Sequence, residues 1–366
     1  MTGSDSGRPP GARYAMSVIH PGGPTLRVRY RQGVLVTPQG YPDWPLCARA
    51  VVAMPDPEPG LTLDETRVVD VLAANMAAAR VRDDPLLAAG APATPPGWPV
   101  WTPARAAGAV ATPPGWCWAH VALTRQLALV PVELHGAFRH AGGVSTLGLT
   151  RRGLRIDPEP IPVAPAAGEA VPDEMLDLLE RLLGWPLPAA YRRFLAATNG
   201  AGPAAPAVLP GYGFVADQPL FGLARDDLSQ DLSQVWQDAR DRLTIDFLPI
   251  GYVQGGLLAV KVSGDDLDSI WYWDDDDPRD RDEYDAEHIG AHLLHRCADS
   301  IDDLWAALRP PAAELVQLAA ARVDGDQVEH VRDAEIGAGL PPRMRAPWQS
   351  RAAPGKDPLT GMFEAR

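Results

Sequence analysis

Apolar residues recur along this chain with two periods, one helical and one of two, separated by turn-rich stretches. The helical period predicts a helix over Leu61 to Ala79, where Thr62 can cap the first turn and Glu65 follows at capping-box spacing. Met175, Leu176, Leu178, Leu179, Leu182 and Leu183 form a stripe that predicts a second helix from Pro172 to Leu183. A third is expected from Ala189 to Thr198, between the Leu187-Pro188 stop and the Asn199-Gly200 turn. Further helices are read over Leu228 to Arg242, Ile289 to Leu308 and Ala312 to Arg322. The period of two predicts an exposed strand or hairpin arm within Leu26 to Val36 and a strand at Ala50 to Val52. Trp116 to Val130 reads as two strands turning near Leu123-Thr124-Arg125, with helical character from Val132 to His140 and a stop at Gly142-Gly143. Strands are also expected at Phe247 to Ile250, Leu257 to Val262 and Ser269 to Tyr272, the first two joined by a tight turn at Gly255-Gly256.

Where the two periods give way to Pro, Ala and Gly, domain boundaries are expected. The reading divides the chain into a flexible N-terminus (1–25), a first domain (26–150), a Pro/Ala linker (151–171), a second domain (172–309) and a C-terminal helix with a Pro/Arg-rich tail (310–366). The length of 366 residues and the 46% apolar content suffice for two cores of the α+β class. No stretch approaches the 18 or so apolar residues of a membrane span. Met1 to Arg13 lacks the apolar segment of a secretory signal, and Cys47, Cys117 and Cys297 have no metal-type spacing. Together these point to a cytoplasmic protein without membrane partners.

Charge separates the halves. The first 150 residues carry 12 Arg, no Lys and 10 acidic residues, whereas the remainder carries 21 basic and 37 acidic residues. An acidic second domain repels nucleic-acid phosphates and attracts basic proteins. Its densest cluster is Asp274, Asp275, Asp276 and Asp277, followed by Asp280, Asp282, Glu283 and Asp285. Pro278 and Arg279 break the alternation a calcium loop needs, so the run reads as a solvated loop or as a surface that binds a basic protein. In the first domain His120, His135 and His140 fall within 21 residues on a hairpin and the following helix. Imidazoles so placed can converge on a divalent metal such as Zn, Mg or Mn, and a metal can activate water against a phosphodiester. Three roles stay open to them: hydrogen-bonded structural residues, a metal site without catalysis, or a nuclease centre. Trp116 and Trp118 read as core side chains.

Two resemblances sharpen this picture. Gly184-Trp185-Pro186-Leu187-Pro188, Tyr191, Phe194, Asn199-Gly200, Phe247-Leu248-Pro249-Ile250-Gly251 and Ile270-Trp271-Tyr272-Trp273-Asp274 resemble, in order, the SUKH superfamily of SMI1/KNR4-like domains. That resemblance implies an α+β domain with a mixed sheet packed by helices, in a family known mostly as bacterial immunity proteins that bind toxins. Trp116-Cys117-Trp118-Ala119-His120, Val132-Glu133-Leu134-His135 and His140-Ala141-Gly142-Gly143 resemble the HNH/endonuclease VII nucleases with a Trp-His-His motif. Gly40-Tyr41-Pro42-Asp43-Trp44, Asp70 and Ala74-Asn75 also look like that family. It implies a ββα-metal fold with His120 as general base and His135 and His140 as candidate metal ligands; Glu133 is a further candidate oxygen donor. The chain departs from the motif at Ala119, where the family has the first of two consecutive histidines.

The expected function is an immunity-type binding protein of a bacterial polymorphic toxin system, whose acidic face, Asp274 to Asp277 with Asp280 and Asp282, occludes a toxin. The partner is a toxin in trans or the chain's own first domain in cis. The alternative is a metal-dependent HNH-type endonuclease fused to its own SUKH inhibitor, with nucleic acid as substrate. A scaffold or regulatory protein is the third possibility.

Overall fold

The computed structural model describes residues 14–19, 25–31, 34–36, 41–83 (save 43, 47 and 49), 111–135, 143–149, 153–324 (save 159–160, 226, 241, 275–276, 278 and 281–284) and 330–333. In this α+β fold the N-terminal strands β1 (Tyr14–Ile19), β2 (Thr25–Arg31) and β3 (Val34–Val36) form an antiparallel meander. The strand expected between Leu26 and Val36 is thus two strands of a hairpin.

A second sheet gathers β4 (Ala50–Ala53), β5 (Trp116–His120), β6 (Gln126–Pro131) and β13 (His330–Asp333) in the order β13-β4-β6-β5. Helix α1 (Leu63–Asp83) starts where the sequence places it: Glu65 N–H donates to Thr62 Oγ1 at 3.1 Å, and Thr62 N–H donates to Glu65 Oε2 at 3.1 Å. This reciprocal pair satisfies two of the helix's unpaired donors. Strand alternation divides the hairpin β5–β6 between two cores. Trp118, Leu127 and Leu129 pack with Val52, α1 and α8 (Ala313–Asp324), whereas Cys117, Ala119, Ala128 and Val130 face Trp44 and Val132. The short helix α2 (Val132–His135) follows directly, completing a ββα unit. The remainder of the helical stretch expected up to His140 lies outside the described residues.

The second domain is built on β9 (Phe247–Val253), β10 (Gly256–Lys261), β11 (Ile270–Asp274) and β12 (Leu294–Ala298). Every pairing in this sheet is antiparallel, so the expected mixed sheet is corrected to an antiparallel one; short connections join β9, β10 and β11 in turn. Helices α3 (Asp173–Leu183), α4 (Ala189–Thr198), α5 (Leu232–Ala239) and α7 (Ile301–Ala307) cover one face through Leu176, Tyr191, Phe194, Trp236 and Trp305. Helix α6 (Ala286–His292) covers the other face, where Ile289 and Leu293 meet Trp273 and Ala259. Tyr272 points into the first core and Trp273 into the second, as their alternation requires. The span read as helix from Ile289 to Leu308 is interrupted by β12, because Leu294 to Ala298 finds the open edge of β11. Asn199 ends α4 at φ 48°, and its side chain exchanges hydrogen bonds with Leu223 backbone N–H (2.6 Å) and C=O (3.1 Å). At Gly200, φ is 76° and a Cβ would lie 2.4 Å from Phe221 O, so this turn needs glycine.

Two connections tie the halves together. The Pro/Ala segment is docked rather than loose: Val163 N–H donates to Leu308 O and Ala166 N–H to Gly202 O, while Arg155 pairs with Glu65 at 2.6 Å. The ribbon of β7 (Ala207–Val208) and β8 (Val215–Ala216) alternates between cores, with Ala207 and Ala216 in the second-domain cluster and Val208 and Val215 in the α1 cluster. After α7 the chain returns to the first half. There α8 packs on α1 through Leu315 and Ala319, and β13 pairs with β4.

Candidate functional site

Val68-Val69-Asp70-Val71-Leu72 is an apolar helical run with one carboxylate in it, and every one of these residues is buried. A fully buried carboxylate must be paired to remain charged. Asp70 Oδ1 accepts from Arg322 Nη1 at 2.7 Å and Arg125 Nη2 at 3.0 Å; Oδ2 lies 3.0 Å from Arg125 Nη1 and 3.1 Å from His120 Nε2. Four elements meet there: α1, the end of β5, the β5–β6 turn and α8. Burial works to raise the Asp70 carboxyl, but the hydrogen bond and charge of His120 and the charge of Arg125 outweigh it. The group is held below its ordinary value.

His120 therefore faces α1, on the same side of β5 as Trp118, whose indole donates to Asn75 Oδ1 at 2.7 Å. The 3-10 turn Gly143–Leu147 closes against it, and a Cβ on Gly143 would sit 2.0 Å from His120 O. Ala119 points to the opposite face and is buried among Trp44, Val130 and Val132. His135 lies on that second face, its ring centroid 5.2 Å from that of Trp44. The strand alternation that separates His120 from position 119 thus also sets His120 apart from the face His135 occupies. His140 lies outside the described residues. Among the described residues no three His, Cys, Asp or Glu side chains converge as a metal site. The donor set around His120 also suits a cation poorly, since two guanidiniums share its carboxylate.

The acidic run divides likewise. Asp274, Asp277 and Asp280 are buried, and Asp275, Asp276 and Asp282 lie outside the described residues. Tyr272 hydroxyl donates to Asp274 at 3.3 Å, Trp273 Nε1 donates to Asp280 at 2.9 Å, and Asp277 pairs with Arg279 at 2.6 Å and with His295 at 3.6 Å. Burial works to raise Asp277, and the hydrogen bonds and charge of Arg279 hold it below its ordinary value. Asp274 also lies 3.9 Å from Arg67 of α1, with both side chains buried. Its basic partner in this structure belongs to the same chain.

That pair is the rim of a polar junction. The second domain reaches the edge strand β5 with side chains: Gln254 Oε1 accepts from Trp118 N–H at 3.0 Å, and Gln218 accepts from Gly115 N–H at 3.2 Å while donating to Trp116 O at 2.5 Å. Asp217 accepts from Thr112 N–H at 2.9 Å and from Gln254 Nε2 at 3.3 Å, and Arg67 Nη1 donates to Gly213 O at 2.8 Å. Burial raises the Asp217 carboxyl above its ordinary value, since its donors are neutral. Residues of this junction and the ion cluster (Arg67, Arg125, Asp217, Gln218, Gln254, Arg322) carry no motif. Only single charges in apolar runs, at Asp70 and Arg322, signal them in sequence.

Comparison with protein families gives two matches. Residues 108–148 match a family described as a nuclease of the HNH/ENDO VII superfamily with conserved WHH. Residues 170–305 match the SMI1/KNR4 family (SUKH-1). Comparisons with curated proteins and with solved structures return no match. The pair of families expected from the sequence is the pair found, while Ala119 departs from the histidine pattern in the first. Among the described residues no helix is long and apolar enough to cross a membrane.

Proposed function

We propose that this chain, with a WHH-type nuclease region followed by a SUKH-1 region, is a non-catalytic binding protein of the toxin–immunity type. Its SUKH part recognises a nuclease fold, and here that recognition is directed in cis at the chain's own nuclease-like region. One observation carries the reading: Asp217, Gln218 and Gln254 hydrogen-bond to the backbone of β5 and its approach, the strand that bears His120. Side chains that read backbone groups at a sheet edge need little of the partner's sequence and depend on its fold. Loss of catalysis fits the same picture. Ala119 offers no lone pair, and His120 Nε2 is engaged by Asp70 inside an arginine-rich cluster.

The second reading, a nuclease silenced by its own SUKH inhibitor, draws on the same junction, because the capped strand carries the candidate base. Plasmid cleavage by the full chain with Mg, Mn or Zn separates the two. Wild type is expected to be inactive, and so are Gln254→Ala and Asp274→Ala, which loosen the junction. Cleavage that appears in those variants and disappears on adding His120→Ala would overturn the non-catalytic reading in favour of the inhibited nuclease. The assay needs the whole chain, since α8 and β13, both beyond residue 310, complete the nuclease-like core.

A further inference from the structure

The second domain touches β5 in two ways, along its edge and on one of its faces. At the edge, Gln254 accepts from Trp118 N–H and Gln218 donates to Trp116 O. Beside Trp118, Cys117 and Ala119 turn to the face opposite α1 and pack with Trp44, Val130 and Val132. Tyr252 of β9 packs against that cluster, the second domain's one contribution to it among the described residues. The same ring meets Phe221 of the second core, with centroids 5.0 Å apart and planes at 82°. Tyr252 therefore bridges the two cores. Gln254, two residues further on, ties this end of β9 to the backbone of β5 and keeps the ring seated.

Position 119 is where the matched nuclease family carries the first histidine of its motif. Here it holds a methyl group, and the residue is 2% exposed. Protein interiors are close-packed, so an imidazole added at such a position must displace a neighbour. Ala128 and Val130 are fixed by the β5–β6 ladder. Tyr252 is the neighbour that arrives from outside the first domain, on a strand held to β5 by side-chain hydrogen bonds.

We propose that Ala119 and Tyr252 form a specificity-determining pair: the second domain seats on a hairpin with a small residue at position 119 and rejects one that carries histidine there. The proposal rests on the cis reading above and adds what the junction selects. The departure from the Trp-His-His motif is then a condition of docking as well as the loss of a lone pair. The partner that fits is this chain's own altered hairpin, and an intact motif is excluded by overlap with the Tyr252 ring.

A double-mutant cycle on the full chain, read by melting temperature, tests the pair. Ala119→His is expected to lower the melting temperature by about 3–6 °C in the wild-type background, as overpacking does. In the Tyr252→Ala background the same substitution is expected to cost less than half as much, because the overlapping ring is gone. Ala119→Ser, which adds little bulk, is expected to melt as wild type does. An equal drop in both backgrounds, or no drop in the wild-type background, would overturn the pair. If Ala119→His does not fold, Ala119→Val is read in the same cycle by the same criterion. Alkylation of Cys117, buried in this cluster, tests the docking separately by mass mapping of the native chain treated with iodoacetamide. Faster labelling in Gln254→Ala supports the cis contact on which the pair depends. Unchanged protection of Cys117 there would count against the cis reading itself, a failure distinct from an additive cycle.

Discussion

The SUKH region and the nuclease-like region hold their cores by different means. Between Val171 and Leu308 the SUKH core is almost wholly apolar and is drawn from one contiguous stretch of chain. The nuclease-like core takes α1 and the hairpin β5–β6 from the first half, then α8 and β13 from beyond the SUKH region, and it buries ions at its centre. A contiguous apolar core depends on its own segment. A core assembled from distant segments around a buried carboxylate depends on every contributor being present.

The largest test of that contrast is deletion of residues 310–366. Leu315 alone contributes about 1.5–3 kcal/mol by burial, and Arg322 leaves with it. Hydrogen exchange should find β5 and β6 unprotected while β9, β10 and β11 stay protected; equal loss in both regions would show a single cooperative unit. Asp70→Ala comes next, with a loss of roughly 3–5 kcal/mol expected from stranding the buried Arg322 and the partly buried Arg125. Denaturant unfolding should locate that loss in the nuclease-like region. Gln254→Ala removes the acceptor of Trp118 N–H and should cost about 1–3 kcal/mol. Its effect should reach both regions, because the junction belongs to both. Thr62→Ala breaks the cap of α1 and is expected to cost about 1 kcal/mol, read as a lower melting temperature.

The subtlest test uses pH. Asp70 is depressed in the folded chain, so its contribution is present above the unfolded carboxylate value and is lost as pH falls through the folded value. Asp217 is raised, so its contribution is greatest below the unfolded value and is lost as pH rises through the folded one. Acid should therefore loosen the ion cluster, and rising pH the junction. In Asp217→Asn the loss with rising pH should vanish while the acid limb remains, as followed by Trp118 fluorescence; an unchanged profile would remove Asp217 from this account.

Much of the architecture was legible locally. The capping box at Thr62 and Glu65, the leucine stripe of α3, the Asn199-Gly200 stop and the alternation of Trp116 to Val130 are properties of short segments, and each element lies where its pattern puts it. Strand β12 was not legible, since its partner edge exists only after β11 has folded. The acidic run shows the limit for sites. Composition made Asp274, Asp277 and Asp280 look like a solvated surface, but Tyr272, Arg279 and Trp273 turn all three inward.

By itself, the sequence determined the helices, most strands, the two families and the missing histidine at position 119, because periodicity, caps and motifs act over a few residues. Only the tertiary structure decided which face His120 and Ala119 occupy, what Asp70 pairs with, and which groups cap β5. Those depend on contacts as much as 252 residues apart, as between Asp70 and Arg322, and no local pattern encodes a partner at that distance.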